Sequence, residues 1–148
     1  MNFDSSQRPI RLALVAIGGV AAGVILAASI VGAQHFNSGS LLSGQDAHAY
    51  WGAVRTVWPY GDPAGTYGAY LYSPAFLQFF RPLLVLPWAQ FLGLWTVMLM
   101  GVLLVLTGPV LFAVLLPIAF FELWGGNIHL LMALAIVIGF RFPAACRS

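Results

Sequence analysis

Residues 12–33 have the sequence LALVAIGGVAAGVILAASIVGA. The run contains no charge, and at about 1.5 Å rise per residue a helix of this length crosses a hydrocarbon core of about 30 Å. We therefore predict a first transmembrane helix over 12–33, preceded by Arg8 and Arg11. A cleaved signal peptide is the alternative, because Val31-Gly32-Ala33 resembles a signal-peptidase site. The length of the apolar run favours the spanning helix.

Composition supports a membrane protein. Of 148 residues, 61% are hydrophobic and 7% are charged, whereas average soluble domains have about 25% charged residues. The net charge of +2 comes from dispersed arginines, so we expect no nucleic-acid partner. The single cysteine, Cys146, has no partner for a disulfide or a zinc site. It is either a palmitoylation site or a small apolar filler, and we assign it no role.

A more polar segment, 34–82, follows the first span and is too polar to cross a membrane. Within it, an apolar face at helical spacing predicts an interfacial helix that begins near Gly44 and is capped by Ser43. The residues of this face are Ala47, Tyr50, Trp51, Val54, Val57 and Trp58. An irregular loop is predicted over 59–68, and a second short aromatic helix over 70–80.

The remaining apolar sequence predicts one full span and two half-spans. We place the second transmembrane helix at 89–106, ending at the break Thr107-Gly108-Pro109. Two short helices, 110–121 and 128–140, each cover only about 20 Å at helical rise. We predict that they form a hairpin whose turn lies in the outer part of the membrane region. An irregular turn at that depth must be buried in protein or line a wet cavity.

The arginines set the predicted orientation. Four of them, Arg8, Arg11, Arg141 and Arg147, fall on one side of these segments, and Arg55 and Arg81 fall on the other. The positive-inside rule then puts both termini in the cytoplasm. The predicted fold is thus a multi-pass, all-α integral membrane protein of the cell membrane. It has about four transmembrane or half-spanning helices, with interfacial helices in the first outer loop, and forms a single membrane domain over 1–148.

Asp46 is the candidate general base. It lies at a predicted helix start, followed by His48 and Tyr50, and a carboxylate at the mouth of a membrane cavity can take a proton from an attacking hydroxyl. The alternative is that Asp46 only complements the helix dipole. Asp62, in Gly61-Asp62-Pro63, is interpreted as a turn residue.

His48, Tyr50 and other polar residues are candidates for binding a substrate. Arg55 and Arg81 can bind an anionic headgroup or phosphate, although interfacial snorkelling explains them equally well. Glu122, Asn127 and His129 surround the predicted hairpin turn, and polar groups at membrane depth point to function. His129 by itself would be a structural histidine. His35 and His48 lack a third ligand at metal-binding spacing, so we predict no metal site.

The order of short motifs is informative. Along the chain they are Asp46-Ala-His-Ala-Tyr50-Trp51, Gly65-Thr-Tyr67, Tyr70-Leu-Tyr72-Ser-Pro74, Pro82-Leu-Leu-Val-Leu-Pro87, Leu94-Trp95 and Gly126-Asn127-Ile-His129. This series resembles the N-terminal part of glycosyltransferase family 87, the polyprenyl-phosphate-mannose-dependent mannosyltransferases of the GT-C superfamily. The resemblance covers nearly the whole chain from the first helix onward.

The resemblance implies a mechanism. A hexose, mannose in the family, would pass with inversion from a polyprenyl-phosphate donor to a glycolipid or cell-envelope glycan on the outer face. Asp46 matches the family's proposed base, and Arg55, Arg81 and His129 are candidates for receiving the lipid phosphate. Asn127 stands where the family often has Gln and is expected to form a pocket wall. No cofactor is implied, and metal dependence stays open.

Family members are several times longer than this chain, so it is expected to be an N-terminal fragment with little activity on its own. A second hypothesis is a non-catalytic membrane subunit that anchors a partner through its glycine-rich first helix. The enzyme hypothesis requires Asp46 within about 10 Å of the Asn127 turn across one outward pocket, whereas an anchor predicts dispersed outer polar residues. A small transporter component would need polar residues along the spans, and the first two have almost none.

Overall fold

The computed structural model describes residues 7–34, 44–64, 66 and 68–141. Every regular element of this part of the chain is a helix, which confirms the all-α prediction for the described residues. In chain order the helices are α1 (Arg8–Gln34), α2 (Gln45–Ala53), α3 (Pro74–Leu84), α4 (Trp88–Leu115), α5 (Phe120–Gly125) and α6 (His129–Arg141).

Two of the described helices, α1 and α4, are long and apolar enough to cross a membrane. Only 17% and 28% of the residues in their most apolar windows are buried, whereas the core helix of a soluble protein would be mostly buried. Large apolar side chains therefore lie exposed along both helices, as Ile17 at 64% and Val105 at 74% illustrate. Such surfaces are typical of helices that face lipid.

The helices α1 and α4 pack antiparallel. A Cβ on Gly18 would lie 2.6 Å from the Cβ of Ala113, and one on Gly93 would lie 3.5 Å from Ile30. The two contacts are about 18 Å apart along α1, but a straight α4 would separate them by about 30 Å. The backbone of α4 leaves helical geometry at Gly108, with φ 74° and ψ 168°. This kink, at the predicted Thr107-Gly108-Pro109 break, accounts for the difference.

After the kink the chain returns towards the start of α4. The indole nitrogen of Trp95 donates a hydrogen bond to the carbonyl of Gly126 at 2.8 Å, so the α5–α6 turn lies beside the second turn of α4. The helix expected over 110–121 differs from the observed elements. Its first half extends α4 to Leu115, and a turn over 116–119 that contains Pro117, which has no N–H to donate, separates this half from α5.

The outer segment also differs in detail from its prediction. The helix α2 ends at Ala53, so Val57 and Trp58, expected on its apolar face, lie beyond it and are 105% and 68% exposed. The predicted cap, Ser43, falls outside the described residues, and the N-cap position is held by Gly44. The second helix starts at Pro74 instead of residue 70, because the Ser73 side chain accepts a hydrogen bond from the Ala75 N–H.

Aromatic side chains fill the space where α2, α3 and α4 meet. Tyr50, Phe91 and Trp95 are fully buried there and Tyr70 is 2% exposed. Ring pairs such as Tyr50–Phe76, with centroids 5.2 Å apart, continue through this core. The sequence suggests a membrane belt for the Trp and Tyr residues, but the buried ones form the core of the outer segment. This packing connects α2 with α3 and α4.

Candidate functional site

The start of α2 is fixed by an unusual backbone position. Gly44 has φ 84°, a left-handed conformation that favours glycine, and its N–H donates to the carbonyl of Trp124 at 2.6 Å. A Cβ at this position would lie 2.7 Å from a methyl of Leu92. Glycine is therefore required where α2 begins, and the bond to Trp124 ties α2 to α5.

The α5–α6 turn meets α2 from the other side. Gly126 caps α5 with φ 71°, and a Cβ there would lie 2.6 Å from the Cβ of Ala47. Together with the Trp95 bond to the Gly126 carbonyl, this contact seats the first turn of α2 directly on the turn.

Asp46 is consequently held beside the α5–α6 turn. Its Oδ2 lies 3.5 Å from where a Cβ on Gly125 would be, so the distance condition of the enzyme hypothesis is met. No residue of the turn lines the cavity that Asp46 lines, so the shared pocket that the hypothesis also required is not observed. Burial raises the pKa of the Asp46 carboxyl, Glu122 raises it further, and His129 opposes the shift. The carboxylate thus holds a proton more readily than an exposed aspartate, which makes it a stronger base when ionised.

A cavity of about 320 Å³ opens beside Asp46. The polar residues that line it are Gln45, Asp46, Thr66 and Tyr72. The remaining lining residues are Ala49, Tyr50, Gly68, Ala69 and Leu71. A carboxylate surrounded by hydroxyl and amide groups suits a ligand that carries several hydroxyls.

Tyr50 and Tyr72 form the floor of this cavity. The Tyr50 hydroxyl donates to the Tyr72 hydroxyl at 3.3 Å, and the rings meet edge to face at 5.1 Å. Burial, followed by the bond to Tyr72, raises the pKa of Tyr50 far above its ordinary value. Tyr50 therefore stays neutral and acts as a fixed wall and hydrogen-bonding group.

The side chains of Glu122 and His129 are in contact across the turn. The Nδ1 of His129 lies 3.1 Å from one Glu122 oxygen and 3.3 Å from the other. The side chains of His129 and Glu122 are 62% and 38% exposed. Glu122 raises and His129 lowers the pKa of Asp46, but neither residue lines the cavity beside Asp46.

Asn127 lies in the same turn, where its N–H donates to the Glu122 carbonyl at 3.0 Å. It does not line the Asp46 cavity. Its Oδ1 is buried and has no hydrogen-bond partner among the described residues. The backbone of Asn127 therefore supports the turn, and the expected place of Asn127 in the wall of the Asp46 cavity is not observed.

His48 and Arg55 do not line the cavity beside Asp46. The His48 ring packs edge to face on Trp88 with centroids 5.1 Å apart, and burial, assisted by Arg55, lowers the pKa of His48. Arg55 donates to the carbonyls of Leu84 at 2.7 Å and Leu86 at 3.0 Å. Its guanidinium also lies 3.7 Å from the Trp51 ring centroid. Arg55 thus clamps the end of α3 to α2, a structural position that the sequence did not reveal.

Arg81 also lies apart from Asp46. It lines a separate cavity of about 230 Å³ with Val54, Leu77 and Gln78 among its neighbours. Arg81 and Asp46 share no cavity among those described. The two outer arginines therefore do not converge on the candidate base.

Several residues of the site were missed from sequence. Gln45, Thr66 and Leu71 line the cavity, and Ala47 and Trp95 hold the turn. Tyr72 was visible as part of Tyr70-Leu-Tyr72-Ser-Pro74 but carried no assigned role. Single hydroxyl and amide residues have no distinctive spacing, so only folding identifies them as neighbours of Asp46.

No three His, Cys, Asp or Glu side chains within the described ranges cluster in a way that could hold a metal ion. Comparisons with protein-family models, curated proteins and solved structures yield no match. The function is accordingly argued from the geometry around Asp46.

Proposed function

We propose that this chain is part of a GT-C-type membrane glycosyltransferase that moves a hexose from a polyprenyl phosphate to a glycolipid or cell-envelope glycan. Mannose is the sugar that the resemblance implies. The observation that carries the proposal is Asp46, a partly buried carboxylate that lines an open cavity. In this proposal the chain crosses the cell membrane several times, both termini are cytoplasmic, and the cavity opens at the outer face.

In the proposed reaction an acceptor hydroxyl enters the cavity and donates a hydrogen bond to Asp46. As its oxygen bonds to the anomeric carbon, the proton passes to the Asp46 carboxylate. The anomeric carbon–oxygen bond to the phosphate breaks on the opposite face, and its electron pair stays on the phosphate oxygen. The configuration inverts, and Asp46 later releases its proton to water. The raised pKa of Asp46 favours the proton transfer.

The volume of the cavity limits the size of the acceptor group that can enter it. Small-molecule sites range from about 300 to 1,000 Å³, so 320 Å³ lies at the lower end. A site of this size suits one terminal sugar of a glycan, with the rest of the acceptor outside. Gln45, Thr66 and Tyr72 would orient its hydroxyls.

A transfer assay tests the proposal. Membranes containing the protein expressed from its native reading frame are given labelled polyprenyl-phosphate mannose, and glycolipid products are counted. We expect Asp46→Asn to reduce transfer about 100-fold or more, the range for loss of a general base. Asp62→Asn, at an exposed position in the loop, is the matched control and should keep wild-type transfer. Wild-type transfer by Asp46→Asn would overturn the assignment.

A non-catalytic anchor is the second candidate. Two uncovered surfaces favour this candidate. The helix α6 has no buried residue, and a Cβ added on Gly19 or Gly23 would have no neighbouring atom within 4 Å. These surfaces could pack against a partner subunit. A stably folded protein that transfers no sugar with any donor but co-purifies with one defined membrane protein would support the anchor.

A further inference from the structure

A second cavity, of about 270 Å³, lies beside the end of α2 and is called the Trp58 cavity below. Among the residues that line it are His48, Thr56, Trp58, Gly68 and Tyr70. Gly68 also lines the Asp46 cavity, so the two cavities adjoin, and this residue has no side chain to separate them. A ligand that fills the Asp46 cavity therefore has a neighbouring space of similar size.

Trp58 is exposed but held in place by its neighbours. Its side chain is 68% exposed, and its ring meets that of Tyr60 edge to face at 5.7 Å. Tyr60 is fixed in turn, because its hydroxyl donates to the Tyr72 carbonyl at 3.0 Å and its ring lies 5.6 Å from that of Tyr70. An apolar indole surface in water is unfavourable. A ligand that covers this ring gains from burial and does not first have to order the side chain.

The polar residues of the Trp58 cavity suit hydroxyl groups. The Thr56 hydroxyl donates to the Ala53 carbonyl at 3.1 Å, so its oxygen can accept a hydrogen bond from a ligand hydroxyl. Burial, assisted by Arg55, lowers the pKa of His48, so the ring is neutral at neutral pH and suits an uncharged ligand. Asp62 also lines the cavity, but its carboxylate is exposed to water and no contact is assigned to it.

An exposed aromatic ring beside a hydroxyl and an imidazole fits a sugar better than a lipid chain. One face of a pyranose ring consists of C–H groups that pack on an aromatic ring, and its hydroxyls bond to polar side chains. An acyl chain would cover Trp58 equally well, but it would offer no hydrogen bond to Thr56 or His48.

We propose that the Trp58 cavity binds the penultimate sugar of an oligosaccharide acceptor while the terminal sugar occupies the Asp46 cavity. The inference rests on the proposed sugar transfer and adds that the acceptor has at least two sugar units. The C–H face of the penultimate sugar stacks on Trp58, and its hydroxyls bond to Thr56 and His48. The glycosidic link passes between the two cavities at Gly68.

Equilibrium binding to the full protein in phosphatidylcholine nanodiscs tests the proposal. The probes are disaccharides of mannose, glucose and galactose, each compared with its methyl monosaccharide by titration calorimetry. In the wild type at least one disaccharide should bind about tenfold more tightly than its monosaccharide, the effect of one stacked aromatic contact. Trp58→Ala should remove this advantage and leave monosaccharide binding unchanged, whereas Trp58→Phe should keep part of it.

Val57→Ala is the matched control. Val57 is fully exposed and does not line the Trp58 cavity, so its truncation should leave the dissociation constant of the disaccharide unchanged. Equal losses in Val57→Ala and Trp58→Ala would overturn the proposal. A wild type that prefers no disaccharide over its monosaccharide would also overturn it.

Lipid quenching tests whether Trp58 lies in the membrane interface instead. Bromine atoms on acyl chains quench indole emission on contact, so the emission that is lost in Trp58→Phe is compared between brominated and ordinary nanodiscs. Equal emission in the two supports the sugar subsite. Strong quenching of this emission would place Trp58 in lipid and reject the subsite.

The outcomes separate this proposal from the proposed function. If the wild type transfers sugar and Asp46→Asn does not, a disaccharide advantage that survives in Trp58→Ala rejects only the Trp58 subsite. If a disaccharide binds through Trp58 but no acceptor is ever glycosylated, the carbohydrate site stands and the transferase assignment fails.

Discussion

Gly126 lies so close to Ala47 that a Cβ on residue 126 would come 2.6 Å from the Ala47 Cβ. This contact joins the first turn of α2 to the α5–α6 turn and sets Asp46 next to Glu122 and His129. The geometry of the candidate site therefore depends on a position where no side chain fits.

We expect Gly126→Ala to lower the melting temperature in detergent and to reduce transfer. The φ of 71° costs about 1–2 kcal/mol for a residue with a Cβ, and the contact with Ala47 adds to it. The double variant Ala47→Gly/Gly126→Ala should recover only the part due to the contact. Gly101→Ala, on α4 with no atom within 4 Å, should leave the melting temperature unchanged or raise it, and an equal loss there would contradict the argument.

Arg55→Lys is expected to lower the melting temperature of the protein and to leave the KM for the donor unchanged. Lysine cannot reproduce the fork that reaches the carbonyls of Leu84 and Leu86, and each lost hydrogen bond to a charged group is worth about 1.5–3 kcal/mol. Thermal melting and the KM for the donor are measured together. Arg55 would be a donor-binding residue if the KM rose while the melting temperature stayed constant.

Asp46→Asn should raise the melting temperature at neutral pH while it abolishes transfer. Burial raises the pKa of Asp46, so the folded state binds a proton more readily than the unfolded state, and the ionised carboxylate costs stability above that pKa. The difference between variant and wild type should shrink as pH falls through the pKa. If Asp46 only complements the helix dipole, the variant melts lower than wild type.

In the pH profile of the transfer rate, Glu122→Gln should move the fall in activity on the acid side to lower pH. Removal of the Glu122 charge takes away one cause that raises the pKa of Asp46, while His129 continues to lower it. Because the reaction needs ionised Asp46, activity then persists further into acid. The rate of acceptor glycosylation is followed against pH, and a limb that moves to higher pH, or not at all, is the contrary result.

Cysteine labelling checks the proposed orientation. In intact cells a membrane-impermeant maleimide should react with Thr66→Cys in a Cys146→Ser background, because Thr66 lines the cavity that is proposed to open at the outer face. The native Cys146 should react only after the membrane is opened. Labelling of both positions from outside would contradict the positive-inside assignment.

Local chemistry made part of the fold predictable. A long uncharged run is sufficient to predict α1 and the start of α4, because each backbone group in a helix is satisfied within four residues. The break at Gly108 followed from the Gly-Pro pair, since proline disfavours a helical conformation in the residue before it. The end of α2 was not predictable, because Val57 and Trp58 continue its apolar spacing beyond Ala53.

The sequence by itself determined the helical class, the two long apolar helices and Asp46 as a candidate, since composition and spacing act over short distances. Tertiary structure alone decided which polar residues share a site. It brought Glu122 and His129 to Asp46, and it committed Arg55 to the end of α3. The physical reason is that side chains far apart in sequence meet only through backbone packing, here through Gly44 and Gly126, where the absence of a Cβ permits the contact.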